Sequence, residues 1–371
     1  MNKLNIIAAS LLFIFSYTQT ADARPKDFAN IKGDDFKVTF GGQFSLIASP
    51  WVQDDANMDN GDYAESEGFI LERARLSTKA DLYKRFKLVF SLDFKGKKHP
   101  DHQISKSFKV ADAYAAIPLI DKKITLKAGM HKAAGSKRQL NSNSSTQTIG
   151  VLNSKESFDL EDNRNLGASL FANYSGLSLW AGIFNGEGIS RGRGNENDGF
   201  LLAGRAEYFY GKRLSQMSAI GNDSLSSGLG VFAFQDDGIS NKSLTYGLDL
   251  SFSLSGFTFY TEAQYKKIEP KTEFVLPSST RSDTEKRRMS AQAGYLLMGD
   301  MLEVIARYTV LDDLILENYK DEGDQKEIYA GLNIYFEEHL AKLQLAYVKV
   351  EEEEDFKIDN DQFLARFQLA F

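Results

Sequence analysis

From residue 36 to the C-terminus apolar side chains recur at every second position, and a period of two dictates β-strands with one oily face and one wet face. At the end of the chain Phe363, Ala365, Phe367, Leu369 and Phe371 fall on one side, while Gln362, Leu364, Arg366, Gln368 and Ala370 fall on the other. The pattern recurs in Phe86, Leu88, Phe90, Leu92 and Phe94 against Arg85, Lys87, Ser91, Asp93 and Lys95. It recurs again in 244–254 against Thr245, Gly247, Asp249, Ser251 and Ser253. A soluble sandwich also alternates, but it directs charge to an outer surface and fills its other side with a shared core.

Such runs lie near 36–49, 69–82, 85–95, 108–117, 124–130, 165–174, 177–184, 200–209, 226–234, 244–254, 257–266, 287–297, 300–309, 325–336, 341–349 and 361–371. These are about sixteen segments, each close to the roughly ten residues that a tilted strand needs to cross a bilayer. Their connections alternate. Short ones fall at 83–84, 175–176, 255–256, 298–299 and 337–339; long ones at 50–68, 96–107, 131–164, 185–199, 267–286, 310–324 and 350–360. The connection 210–225 breaks the order, being long where a short turn is due. Short turns on one side and long loops on the other predict an all-β, transmembrane antiparallel barrel with periplasmic turns and external loops. Lipid offers no hydrogen-bond partner, so the sheet must close. Sixteen strands leave an aqueous bore where eight would be filled by side chains, so strand count argues for transport.

The N-terminus fits export. Met1, Asn2 and Lys3 precede an apolar run from Leu4 to Phe15, and Ala21-Asp22-Ala23 offers a small-residue cleavage site. Residues 1–23 read as a signal peptide cut after Ala23, and 24–35 as a short periplasmic segment ahead of a single barrel domain, 36–371. The apolar run is too short for a spanning helix, which needs roughly 20 residues. Cysteine is absent, so an exported chain has neither disulfides nor thiolate metal sites. A net charge of -7 argues against nucleic acid as a partner.

The sequence resembles the phosphate-selective porin O and P family in Glu72-Arg-Ala-Arg-Leu76 with the hairpin 79–94, Lys109-Val-Ala-Asp-Ala-Tyr114, Leu126-Lys-Ala-Gly129, Trp180-Ala-Gly-Ile-Phe184, Gly204-Arg205, Leu302-Glu-Val-Ile-Ala-Arg-Tyr308 and Phe363 to Phe371. The resemblance implies a sixteen-stranded barrel, a homotrimer, a third loop folded into the lumen, and anion conduction along basic wall residues. The third long connection is 131–164, also the longest. A C-terminal aromatic, here Phe371, is similar to the terminal residue by which bacterial barrels are presented to the barrel-assembly machinery.

Alternation places Lys37, Arg73, Arg75, Lys79, Arg85, Lys87, Lys95, Lys127, Arg205, Lys266, Arg288, Arg307, Lys342 and Arg366 inward, because a charge facing lipid at mid-membrane is costly. Fewer acids share that face: Asp81, Asp93, Asp112, Glu207, Asp249, Glu262, Glu303 and Glu327. The remaining acid collects in external loops such as 54–67, 312–324 and 351–355. A basic lumen raises the local anion concentration, and arginine's planar fork suits phosphate or carboxylate oxygens. The candidate pore-lining, anion-binding residues are Arg73, Arg75, Lys79, Lys87, Lys127, Arg205, Arg307 and Arg366, with Lys137 and Arg138 on the inserted loop. The expected partners are outer-membrane lipids and small anions such as phosphate; no cofactor and no metal are expected.

Three alternatives stand beside this reading: an unselective general porin whose wall bases pair with wall acids, an adhesin or receptor working through its acidic loops, and a barrel hydrolase using His131 with a nearby serine and Asn141 or Asn143. His99-Pro-Asp-His102 has too few ligands for a structural zinc site. Glu351 to Asp355 lacks the spaced oxygens of a calcium loop. Gly186 to Gly194 lacks the strand-to-helix context of a phosphate cradle.

Overall fold

The computed structural model describes residues 30–52, 68–83, 85–95, 107–120, 123–150, 164–186, 199–214, 220, 224–238, 241–271, 284–315, 325–352 and 361–371. Its strands are β1 (Asn30–Lys32), β2 (Phe36–Val52), β3 (Gly68–Leu82), β4 (Phe86–Lys95), β5 (Ser107–Ile120), β6 (Ile124–Lys132), β7 (Arg164–Tyr174), β8 (Leu177–Phe184), β9 (Leu201–Tyr210), β10 (Ser226–Asp237), β11 (Asn241–Leu254), β12 (Phe257–Pro270), β13 (Thr284–Leu297), β14 (Leu302–Ile315), β15 (Gln325–Glu337), β16 (Ala341–Glu352) and β17 (Gln362–Ala370).

Each strand from β2 to β17 pairs antiparallel with its sequence neighbours, and β17 returns to β2 with Ala365 opposite Ala48 and Leu369 opposite Phe44. Sixteen strands thus close on themselves and leave no free edge, which is what a membrane demands of a sheet. The remaining strand, β1, lies within the expected 24–35 segment and folds back on the start of β2, Asn30 opposite Thr39.

All sixteen expected strands are present, and several run further toward the long loops than alternation indicated. The pair β11 and β12 stays in register out to Asn241 opposite Pro270. Tight turns close the other end. Ser175 and Gly176 have φ of 43° and 88°, and Ser255 and Gly256 have 46° and 83°, the left-handed pair that a two-residue hairpin of matching twist requires. The alternation of connection lengths fails around β10. The β9–β10 connection at the short-turn end is long, as its sequence showed, and the β10–β11 connection at the long-loop end is only the stretch 238–240. The extended register of β10, Asp237 opposite Lys242, brings those two strand ends together.

Burial is inverted relative to a soluble protein. Ser45, Thr245, Asp249, Glu262, Asn333, Lys342, Gln344 and Gln368 are buried, while Leu202, Leu229, Val231, Leu248, Met289, Val304 and Ile328 are exposed on the outer face. Outward Tyr246, Tyr308 and Tyr347 lie toward the long-loop end, and outward Tyr174, Tyr208, Phe257, Tyr295 and Phe336 toward the turns. These are the two aromatic girdles of a barrel in a bilayer.

The lumen holds a chain of its own. After β6 the segment 133–150 turns inward, forming a short helix α1 (Lys137–Leu140) capped by Ser136, and then a 3-10 turn at Asn143–Ser145. Apolar seats on the wall hold both ends. Ala133 and Ala134 pack on Phe184, Leu201, Ala203, Phe232 and Phe234; Ile149 packs among Ile47, Ile305, Tyr329, Ala346, Val348, Val350 and Leu364. Full burial of one isoleucine is worth about 1.5–3 kcal/mol.

Candidate functional site: the constriction of the lumen

Polar contacts hold the segment between its apolar ends. At the start Arg205 donates to the Gly135 carbonyl at 3.1 Å, the Lys137 backbone N–H donates to Asp249 at 3.0 Å, and the Lys137 ammonium reaches Ser251 at 2.8 Å and Glu207 at 3.4 Å. Further on, the Tyr260 hydroxyl accepts from the Arg138 N–H at 3.2 Å, and the Arg138 guanidinium lies 3.8 Å from Glu262. Gln147 is the hub of the far end. Its side chain donates to Thr258 at 2.8 Å and Glu303 at 2.6 Å and accepts from Gln292 at 2.6 Å; its carbonyl accepts from Asn333 and Gln344. Lys342 donates to the Thr146 carbonyl at 2.7 Å, Arg366 to the Thr146 hydroxyl at 3.0 Å, and Arg307 to the Thr148 hydroxyl at 2.8 Å.

The segment therefore lies mainly against the wall formed by β8 to β17, with Lys132 at the end of β6 also tied to it, and leaves the bore toward β3 to β7. The two walls use their charges differently. Beneath the segment Arg205 meets Asp249 at 2.6 Å, Arg307 meets Glu327 at 2.6 Å, and Arg288 meets Glu262 at 3.3 Å. Arg205, Arg307, Arg366 and Lys137, expected to line the pore, do point inward, but all four are buried and act as the segment's anchors. Lys79 and Lys87 stand nearer the turns, Lys87 exposed and 3.7 Å from Asp81.

On the open wall cations outnumber acids. Asp93 takes Arg75 at 2.6 Å and Arg73 at 3.3 Å, and Asp112 takes Arg164 at 2.9 Å. Glu72 reaches inward at a β-bulge, where the β2–β3 register shifts, and pairs with Arg366 at 3.2 Å. Lys132 lies within electrostatic reach of Arg73, Arg75, Arg164 and Asp112, and its ammonium donates to the carbonyls of Gln139 and Asn141, both at 2.7 Å. Lys127 stands over the Trp180 ring at 5.0 Å. Among these described residues, five cations of β3 to β7 (Arg73, Arg75, Lys127, Lys132 and Arg164) thus face three carboxylates (Glu72, Asp93 and Asp112).

Arg164 and Lys132 were not among the expected site residues. Both lie outside the strands expected at 124–130 and 165–174, inside the long connection 131–164, where alternation assigns no face. Among the described residues no three His, Asp or Glu side chains gather to hold a metal ion, and His99 and His102 lie outside the described residues. His131 does meet a serine: its Nε2 lies 2.8 Å from the Ser169 hydroxyl, with Nδ1 3.0 Å from the Gly129 carbonyl. Both side chains are 2% exposed, and the ring is packed between Tyr114 and Phe184, so no substrate carbonyl can reach that hydroxyl. The pair ties β6 to β7.

Residues 46–212 match the family described as phosphate-selective porin O and P. No curated protein matches the chain. Among solved structures it is similar to OmpT, an outer membrane protein of Vibrio cholerae, in its trimer form (10% identity, 91% of this chain and 100% of that one, TM-score 0.61). It is similar to an anion-selective porin from Comamonas acidovorans (15%, 91% and 100%, TM-score 0.60) and to the outer membrane channel DcaP of Acinetobacter baumannii (10%, 92% and 100%, TM-score 0.61). At these identities the likeness is one of fold. The fold is thus that of outer-membrane barrels, and the stretch that matches the porin family contains β3 to β7, the wall that bears the cationic excess.

Proposed function

We propose that this porin passes small hydrophilic anions in preference to cations, with phosphate-like and carboxylate ions as its solutes, and that it acts as a channel and not as an enzyme. The observation that carries this is the cluster of Arg75, Arg164 and Lys127 on the open wall, with Arg73 buried beside Asp93 and Lys132 tied to the inserted segment. Fixed cations in a narrow bore of low surrounding dielectric concentrate anions and repel cations. All three guanidinium groups are held from the side by two carboxylates, Asp93 and Asp112, which keeps them in place without cancelling their excess charge.

The pairing of wall bases with wall acids, the alternative reading, describes the buried wall. There it positions the segment. Selectivity then belongs to the wall that the segment leaves open.

The assay is the reversal potential across a planar bilayer in a potassium chloride gradient. The expected sign is that of a chloride-permeable pore, and a cation-selective potential ends this reading. Phosphate, pyrophosphate and dicarboxylates added as competitors then rank the solutes by block of chloride current.

The same reading takes the protein to be a homotrimer, exported on a signal peptide cut after Ala23 and assembled by the barrel machinery through Phe371. A shallow groove of about 460 Å³ on the outer face, lined by Ala80, Ala113, Ala115 and Ala128 between Leu88 and Phe90, supports close packing of a second copy there. The similar Vibrio cholerae structure is a trimer form. Crosslinking in native membranes tests it, and a monomer only would count against it.

A further inference from the structure

A cavity of about 250 Å³ lies off the bore between α1 and the β9–β10 connection, bordered by Lys127, Lys137, Phe171, Trp180, Arg205, Glu207 and Arg213 among others. It differs in chemistry from the arginine-rich wall above. Four cations surround a single carboxylate, and two aromatic rings form the rest of one side. Phe171 and Trp180 meet edge to face, centroids 6.1 Å apart at 81°. Cations already lie against these rings: the Lys127 ammonium is 5.0 Å from Trp180 and 5.5 Å from Tyr114, and the Arg213 guanidinium is 5.6 Å from Phe171.

Glu207 is shared among Arg213 at 2.6 Å, Lys137 at 3.4 Å and Arg205 at 3.9 Å. Lys127 has no carboxylate at ion-pair distance among the described residues; Asp112 acts on it from further away. The buried Trp180 indole N–H likewise has no hydrogen-bond partner among the described residues. An inorganic anion uses the charges of such a pocket and leaves the ring faces wet. A neutral aromatic uses the rings and wastes the charge.

We propose that this cavity is a subsite for small aromatic carboxylates. The carboxylate takes the place beside Lys127 and Arg213, and the ring lies along Trp180 and Phe171, where aromatic pairs gain from offset or edge contact. The volume corresponds to roughly eight water positions, the size of one substituted aromatic ring and below the usual range for larger organic ligands. The inference rests on the porin reading for its physiological meaning, but the site itself is testable without conduction.

Only two tryptophans are present, Trp51 and Trp180, so the Trp51→Phe variant of the full-length protein in detergent reports on Trp180 alone. Benzoate is titrated against acetate at matched ionic strength. The expected result is a saturable change in Trp180 emission with benzoate, half-complete at a concentration at least fivefold below any change with acetate. Lys127→Gln in the same background shifts the benzoate midpoint upward about tenfold. In bilayers, benzoate blocks chloride current at lower concentration than acetate, and Trp180→Leu removes that difference. A linear, unsaturating response equal for the two ions, or benzoate block indifferent to Trp180→Leu, overturns the proposal. If saturation is seen but purified protein never conducts, the subsite stands and the channel reading falls; if the protein conducts anions and no saturation appears, the reverse holds.

Discussion

Arg164 and Asp112 form a paired couple on the open wall, and changing either member alone separates an electrostatic role from a structural one. Arg164 contacts both Asp112 oxygens, at 2.9 and 3.4 Å. Arg164→Gln leaves Asp112 unpaired and lowers the local charge by one; Asp112→Asn raises it by one. Both variants break the same ion pair, so any effect of lost geometry has the same sign in both, whereas an effect of charge has opposite signs. An ion passing roughly 5 Å from a unit charge in water feels about 0.8 kcal/mol, which screening at 0.1 M salt reduces to about 0.5. The anion is depleted about twofold by Arg164→Gln and the cation enriched by the same factor, so the anion-to-cation permeability ratio falls about fivefold. Asp112→Asn raises it by a similar factor.

The assay is the zero-current potential in asymmetric potassium chloride, repeated near 1 M, where the Debye length of about 3 Å shrinks each shift to less than twofold. Displacement of both variants in one direction, or no displacement at 0.1 M, would refute the assignment of selectivity to this wall.

Arg307→Ala leaves Glu327 buried without its partner and cuts the tie to Thr148, a local loss of about 3–5 kcal/mol; single-channel conductance rises and current noise increases as the segment's far end comes away. Phe371 exchanges two backbone hydrogen bonds of 3.1 Å with Gly42, and a Cβ at Gly42 would fall 2.5 Å from the Phe371 ring; Gly42→Ala and deletion of Phe371 both reduce the yield of folded, heat-modifiable barrel in the outer membrane, with an unchanged strand pattern in what does assemble. His339, in the turn between β15 and β16, is held to about 3 by burial and then by Lys342 and Arg366. Its folded value lies below the unfolded 6.5, so the neutral ring stabilises the barrel above about pH 6.5, and that contribution is lost as pH falls toward 3. The temperature of gel-shift unfolding drops across that window, and His339→Leu reduces the drop.

The barrel was legible because its outer face obeys one rule throughout: Phe86 to Phe94 and Phe363 to Leu369 offer lipid an apolar side chain at each second position, and no tertiary detail alters that. The inward face obeys no such rule. Arg205 and Arg75 are alike in alternation, yet one lies beneath the segment and the other beside the bore, a difference decided by where 133–150 packs. One signal was present and unread. At Phe232 and Phe234, and again at Ala346, Val348 and Val350, inward positions turn apolar, so both faces of the strand are oily. Such a place in an aqueous lumen requires an apolar cover, and Ala133, Ala134 and Ile149 are that cover.

The two kinds of ion pair in the lumen have different physical consequences. A fully buried pair such as Arg205 with Asp249 adds little net stability over a packed apolar pair, because both charges surrender their hydration. What it supplies is position: Arg205 donates at once to Asp249 and to the Gly135 carbonyl, and Asp249 accepts the Lys137 N–H, so the backbone of the segment is held by groups that cannot slide along a greasy surface. A lumen sealed by apolar contact alone would leave the segment free to shift, and the bore with it. With the segment fixed, Arg73, Arg75 and Arg164 face a boundary of constant shape, and the field they set up acts on ions at a constant distance. On the proposed reading, selectivity at one wall depends on charge neutralisation at the other, which is why Arg307→Ala, remote from the open wall, is expected to lower the permeability ratio as it raises conductance.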